Sequence, residues 1–183
     1  MHYCEYAPHD PLHAPYHDRE HGFPATDETV LFERLILEIN QAGLSWGTVL
    51  RKRDTLRAAY AGFEVDRVAA FGAAERARLL ADPGIVRNAR KVDAAIANAH
   101  AVQQLRGAYA SFAAFLDAHH PRSKAQWVKL LKRHFTHVGG EIAGEFLMSL
   151  GYLPGAHRPD CPAFERVRAA DPPWCRAPDG SFD

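Results

Sequence analysis

No apolar run in this sequence approaches the ~20 residues that span a bilayer, so a membrane-crossing helix is not expected. The start, Met1-His2-Tyr3-Cys4-Glu5, lacks the basic-then-apolar order of a signal peptide. Cysteine is scarce. Three in 183 residues cannot all pair within one chain, and they sit near the ends. This points to a reducing compartment, expected to be cytoplasmic, and to metal if the thiols do chemistry. An excess of either charge is missing too: 22 Lys+Arg face 22 Asp+Glu. A histone-like or disordered polyanion-binding chain is thereby excluded. Strand-type alternation, repeats, low-complexity tracts and internal linkers are absent as well. The expectation is one all-α domain over 1–183, with Pro-rich arms at about 1–26 and 152–183.

What is present is unevenly spread. Five of the 11 histidines, His2, His9, His13, His17 and His21, fall in the first 21 residues. Residues 76–133 carry 11 Lys/Arg against Asp82, Asp93 and Asp117, a balance of +8 inside a neutral chain. Such a segment is either a phosphate-facing surface or an ordinary solvated one. Between the arms, capping residues and turns mark helices. Asp27 caps one running to about Ala42, and Ser45 caps one over about 46–61. Shorter ones fall near 65–71 and 73–81. After the Asp82-Pro83-Gly84 turn a long Ala-rich helix runs from Val86 to about Leu105. Ser111 and Ser123 cap two more, and Gly139-Gly140 opens the last, to about Leu150. The N-terminal arm shows no helical period.

Three constellations carry chemistry. Cys4 and His17 stand near one end and His157 and Cys161 near the other; two thiolates and two imidazoles close a tetrahedral zinc shell. Cys175 competes with Cys161 but has no nearby His. The alternative is four ordinary side chains. Next, Glu38 sits late in an apolar helix among Leu35, Ile36, Leu37 and Ile39. After the Gly43 turn comes Trp46. A buried carboxylate needs a partner, and an indole offers a flat stacking face, so the two suit a nucleobase pocket. Alternatively Glu38 pairs with Arg34 or solvent and Trp46 fills the core. Third, the basic helix bearing Lys129, Lys132 and Arg133 leads through His134-Phe135-Thr136-His137-Val138 to Gly139-Gly140 and a new helix. Backbone N–H groups at such a point can hold a phosphate; otherwise the unit is a plain helical hairpin.

These residues resemble one family. Cys4, Asp10-Pro11-Leu12, Tyr16-His17-Asp18, Leu31-Phe32-Glu33, Leu37-Glu38, Gln41-Ala42-Gly43-Leu44-Ser45-Trp46, Thr48-Val49-Leu50, Lys52-Arg53, Gly84-Ile85-Val86-Arg87-Asn88 and Asn98-Ala99 together form a pattern similar to the 3-methyladenine DNA glycosylase I family. The similarity runs from Cys4 to Cys161. It implies an all-helical fold of the helix-hairpin-helix DNA glycosylase superfamily, with Thr136 to Gly140 as the hairpin. It further implies a structural zinc ion on Cys4, His17, His157 and Cys161, clamping the two arms.

The implied activity is that of a monomeric, monofunctional DNA glycosylase in base-excision repair. It would extrude an alkylated purine from double-stranded DNA, hydrolyse the N-glycosidic bond and release free 3-methyladenine. Glu38 would accept from the amino edge, Tyr16 would add a hydrogen bond and Trp46 would stack. Tyr6, His13 and His21 would surround the base, Leu44 would wedge into the gap left behind, and Lys132, Arg133, Gly139 and Gly140 would hold the phosphates. The chain departs from the family pattern at Tyr6, His13, His21, Gly140 and Glu145. The region Leu150 to Pro159, where superfamily members with slower leaving groups carry an Asp for the sugar cation, holds no carboxylate. Two alternatives remain at this level: a non-catalytic zinc-containing helical module binding DNA or modified bases, and a glycosylase with another lesion preference.

Overall fold

The computed structural model describes residues 2–182. Twelve α-helices and three 3-10 turns account for the regular structure of these residues, and no strand occurs among them. None of the helices is long and apolar enough to cross a membrane.

The organising element is α3, Glu28–Gln41, capped by the Asp27 carboxylate on the Val30 amide at 3.1 Å. All ten residues from Leu31 to Asn40 are buried. A helix buried around its whole girth has to sit inside other helices, and α3 does, although Glu33, Arg34, Glu38 and Asn40 go into the interior with its aliphatic residues. The helices α4 (Trp46–Arg51), α6 (Val65–Ala69), α8 (Ala89–Tyr109), α9 (Phe112–His119) and α11 (Gly140–Ser149) all pack against it. The small Ala94, Ala95 and Ala99 on the buried side of α8 let neighbouring backbones come close, α6 above all. The expected 46–61 helix is two: α4 and α5 (Arg53–Ala59) meet at Lys52, whose φ/ψ of −96°/0° interrupts the helical run. The long helix begins at Ala89, later than the expected Val86, because Asn88 supplies the cap, accepting from the Lys91 amide.

The arms are not the irregular segments expected. Residues Tyr3–Tyr6 form α1, Ala14–Arg19 form α2 and Pro162–Ala169 form α12, all too short to show a period in the sequence. Glu20 fastens the N-terminal arm to the body. It accepts from Arg34 at 2.8 Å and from both terminal nitrogens of Arg53 at 2.7 Å, while Arg53 also holds the buried Glu33. Gly22, at φ +83°, lies so close to the C-terminal segment that a Cβ there would meet the Ala156 methyl at 2.7 Å.

Candidate active site

The two arms meet in a cluster. The Cys4 sulfur lies 3.6 Å from His157 Nδ1, and the Cys161 sulfur lies 3.6 Å from both His157 Nδ1 and His17 Nε2. All four donor atoms fall within 4.8 Å of one another. Zinc–sulfur and zinc–nitrogen bonds of about 2.3 and 2.0–2.1 Å in a tetrahedron set a sulfur–nitrogen edge of roughly 3.5–3.6 Å. The donor set therefore fits that ion. The outward nitrogens are held as metal-binding imidazoles require. His17 Nδ1 is 2.7 Å from Asp18, and His157 Nε2 is 2.8 Å from the His21 carbonyl. Cys175 is exposed and outside the cluster. Burial pushes the Cys4 thiol up to about 11, so without a cation it stays protonated.

The cluster backs one wall of a cavity of about 380 Å³, whose residues come from both arms, from the end of α3 and start of α4, and from α11. The size lies within the ~300–1,000 Å³ of small-molecule sites. Tyr16, Trp46, Glu38, Tyr6 and His21 all face it. Tyr16 is buried, its ring 5.0 Å from that of Trp46 at 58°, with the Arg34 guanidinium 4.9 Å away on its face. Arg34 Nη1 also donates to the Tyr16 hydroxyl at 3.5 Å. Burial holds the Tyr16 phenol far above its ordinary range, so it is a donor at neutral pH.

Glu38 is 4% exposed, and no protein hydrogen bond reaches its carboxyl among the described residues. The alternative partner, Arg34, is engaged by Glu20. Burial first, then the neighbouring Glu145 charge, push Glu38 up to about 8, against a smaller opposing effect of Arg34. Such an acid is held ready for something that is not in the fold. The His21 ring is kept neutral by burial, and its Nδ1 has no partner; neither has Trp46 Nε1.

His13 stands apart. It is buried behind the cavity, its Nδ1 3.2 Å from the Tyr3 hydroxyl, and it does not face the space itself. Tyr3, Gln41 and Glu145 line the cavity although the pattern of the sequence did not single them out for the pocket. Tyr3 belongs to a helix of four residues, too short for any periodicity to place it.

An adjoining groove shares Glu38, Gln41 and Glu145 with the cavity and runs past Gly43, Leu44, Gly139 and Gly140. Leu44 is 41% exposed at the tip of the α3–α4 turn, and Lys91 fixes that turn by donating to the Asn40 and Ala42 carbonyls at 2.7 and 2.6 Å. Beyond it, α10 (Lys124–His134) leads into α11. Phe135 and Val138 are buried under the connecting loop, and the Asn98 amide grips Thr136 N and O at 2.8 and 3.1 Å. A Cβ on Gly139 or Gly140 would meet nothing within 4 Å, so the loop's outer side is open. Lys132 and Arg133 are exposed beside it. The +8 segment is not one basic face. Arg76 pairs with Asp93, Arg106 with Glu28 and Asp66, Arg78 bonds the Ala59 carbonyl, and Lys91 is internal.

Comparison with known proteins agrees with the geometry. Residues 6–132 match the family described as Methyladenine glycosylase. DNA-3-methyladenine glycosylase 1 of Escherichia coli K12 is 37% identical, the similarity covering 84% of this chain and 92% of that protein. DNA-3-methyladenine glycosylase of Haemophilus influenzae Rd is 32% identical over 87% of this chain and 96% of its own length. The structure of Staphylococcus aureus 3-methyladenine DNA glycosylase I, solved for the basis of its 3-methyladenine recognition, superposes with a TM-score of 0.79. It is 31% identical, with 87% of this chain and 95% of that one covered.

Proposed function

The chain belongs to the methyladenine glycosylase family, and from that premise we propose that it is a monofunctional DNA glycosylase releasing 3-methyladenine in base-excision repair. The observation that carries the reading is the unpaired, buried Glu38 in a cavity shared with Tyr16 and Trp46. Alkylation at a ring nitrogen makes an adenine cationic, so its glycosidic bond breaks readily. The protein's main task is then to select that base and exclude others. Glu38, protonated in the empty site, ionises against the cationic base and accepts from its amino group. Tyr16, a neutral phenol, donates a hydrogen bond. Trp46 stacks. Tyr6 and His21 close the sides of the site, with His13 bracing from behind.

We read α10, its loop and α11 as the hairpin of a helix-hairpin-helix unit. Gly139 and Gly140 offer amides to a phosphate, with Lys132 and Arg133 adding charge; such contacts hold register and carry no sequence information. Leu44 fills the gap left in the duplex. A zinc ion on Cys4, His17, His157 and Cys161 would supply no reaction chemistry. It would tie the two arms, and with them Tyr3, Tyr6, Tyr16 and the 155–156 wall, into one domain over the whole chain. No lysine stands where a Schiff-base nucleophile would, so strand cleavage is not expected.

The test is release of free base from duplex DNA treated with a methylating agent, for wild type and Glu38→Gln. Wild type should liberate 3-methyladenine. The variant should lose about 1.5–3 kcal/mol of affinity for the free base, the worth of a charged hydrogen bond, with its affinity for undamaged duplex unchanged. Equal affinities would remove Glu38 from recognition.

A further inference from the structure

Glu145 is a second carboxylate in the same space, half-buried on α11. We propose that it faces the C1′ carbon of the extruded nucleotide and stabilises the positive charge that forms there as the base departs. This rests on the glycosylase reading above. Three observations point to it.

Glu145 lines both the base cavity and the adjoining groove that runs to Leu44 and Gly139-Gly140. A nucleotide with its base between Tyr16, Trp46 and Glu38 and its phosphate at the hairpin must put its sugar between the two, at that boundary. Second, Glu38 is more than nine-tenths buried with no protein partner and is committed to the base, so the sugar needs a different anion. Third, the stretch Leu150 to Pro159 behind the hairpin contains no acid that could serve. The charged groups around Glu145 leave it available. Glu38 faces it from α3. Glu141 lies one turn back on its own helix. Lys124 on α10 has its ammonium 3.2 Å from Glu141. Burial and Glu141 raise the Glu145 carboxyl, with Lys124 opposing, which moves it toward the range of a useful proton acceptor.

The step balances. The bond from C1′ to the purine nitrogen breaks and its electron pair passes into the ring, so the cationic base leaves neutral and the charge stays on C1′ and the ring oxygen of the sugar. The Glu145 carboxylate stabilises that cation. A water oxygen then bonds C1′, its proton passes to Glu145 and on to solvent, and an abasic hemiacetal remains.

Single-turnover release of 3-methyladenine from methylated duplex should be measured for wild type, E145Q and E145D, alongside titration of each with free 3-methyladenine. E145Q is expected to slow release ~10²-fold, the low end for a positioned acid–base or charge-stabilising group. E145D should recover part of the rate, and free-base affinity should not fall in either variant, because the base is held by other residues and loss of the Glu145 charge only eases the ionisation of Glu38. An unchanged E145Q rate overturns the proposal. So does a rate loss matched by an equal loss of free-base affinity, which would make Glu145 a recognition residue. A wild type that releases no base overturns the glycosylase reading, and this one with it. E145S, which leaves no amide behind, repeats the comparison if E145Q unfolds.

Discussion

At the scale of the residue, Glu38 is a buried acid without a protein partner among the described residues. An acid among aliphatic side chains is costly in its charged form, and here burial and the nearby Glu145 push it up to about 8. An unfolded Glu titrates near 4.5. The folded chain therefore keeps a proton that the unfolded chain gives up between those values, and stability must fall as pH rises through that window. Replacing the acid by a neutral amide abolishes the effect. Urea unfolding of the base-free protein from pH 5 to 9 should show wild type losing roughly 1–4 kcal/mol relative to Glu38→Gln. Parallel curves would mean that the carboxyl titrates as an exposed one. The presence of Glu38 in a hostile neighbourhood was readable from Leu35 to Ile39. Its lack of a partner was not, because Arg34 is four residues away on the same helix and only Glu20, from the N-terminal arm, draws it off.

At the scale of the element, the hairpin and the turn work as two prongs beside the groove. The α3–α4 turn is tied by Lys91 and the α10–α11 loop by Asn98, both from α8, so one long helix sets the spacing of the prongs. The basic count of residues 76–133 leaves open a phosphate-facing surface or an ordinary solvated one. Pairing and burial within the fold withdraw Arg76, Arg78, Lys91 and Arg106, which leaves Arg87 and Arg90 exposed at the start of α8 and Lys129, Lys132 and Arg133 exposed on α10. Lys132→Ala or Arg133→Ala should therefore weaken duplex binding equally for all sequences and lower the salt slope by roughly one unit each. Arg76→Ala, whose side chain is already engaged by Asp93, should leave the slope as it is. Fluorescence anisotropy over a range of salt concentrations measures all three; a sequence-selective loss at Lys132 would contradict phosphate positioning.

At the scale of the whole molecule, the arms decide whether there is a pocket at all. Tyr3, Tyr6 and Tyr16 come from one arm and Ala156 from the other, and the cysteine–histidine cluster joins them. Arg158 and Glu5 add a 2.7 Å ion pair across the same junction, exposed enough to contribute little. Protein purified without chelator should carry about one equivalent of zinc by elemental analysis. Cys161→Ala should lose the metal and several kcal/mol of stability, together with base binding. Substoichiometric metal with an unchanged melting temperature in the variant would leave the cluster without a structural role.

By itself the sequence determined the helical class and most helix starts, and it singled out the candidate residues for the site. Caps such as Asp27, Ser45, Ser111 and Ser123 act on the amides two or three residues away, so their effect is local and legible. The thiols and imidazoles could be counted, and so could an acid in an apolar run. Tertiary structure alone decided which of these meet. It brought Cys4 to His157 across 153 positions, took Arg34 away from Glu38, set His13 behind the cavity instead of in it, and put Glu145 where base cavity and groove join. Those outcomes depend on contacts between distant segments, whose geometry follows from packing α3 inside five other helices and not from any neighbour along the chain.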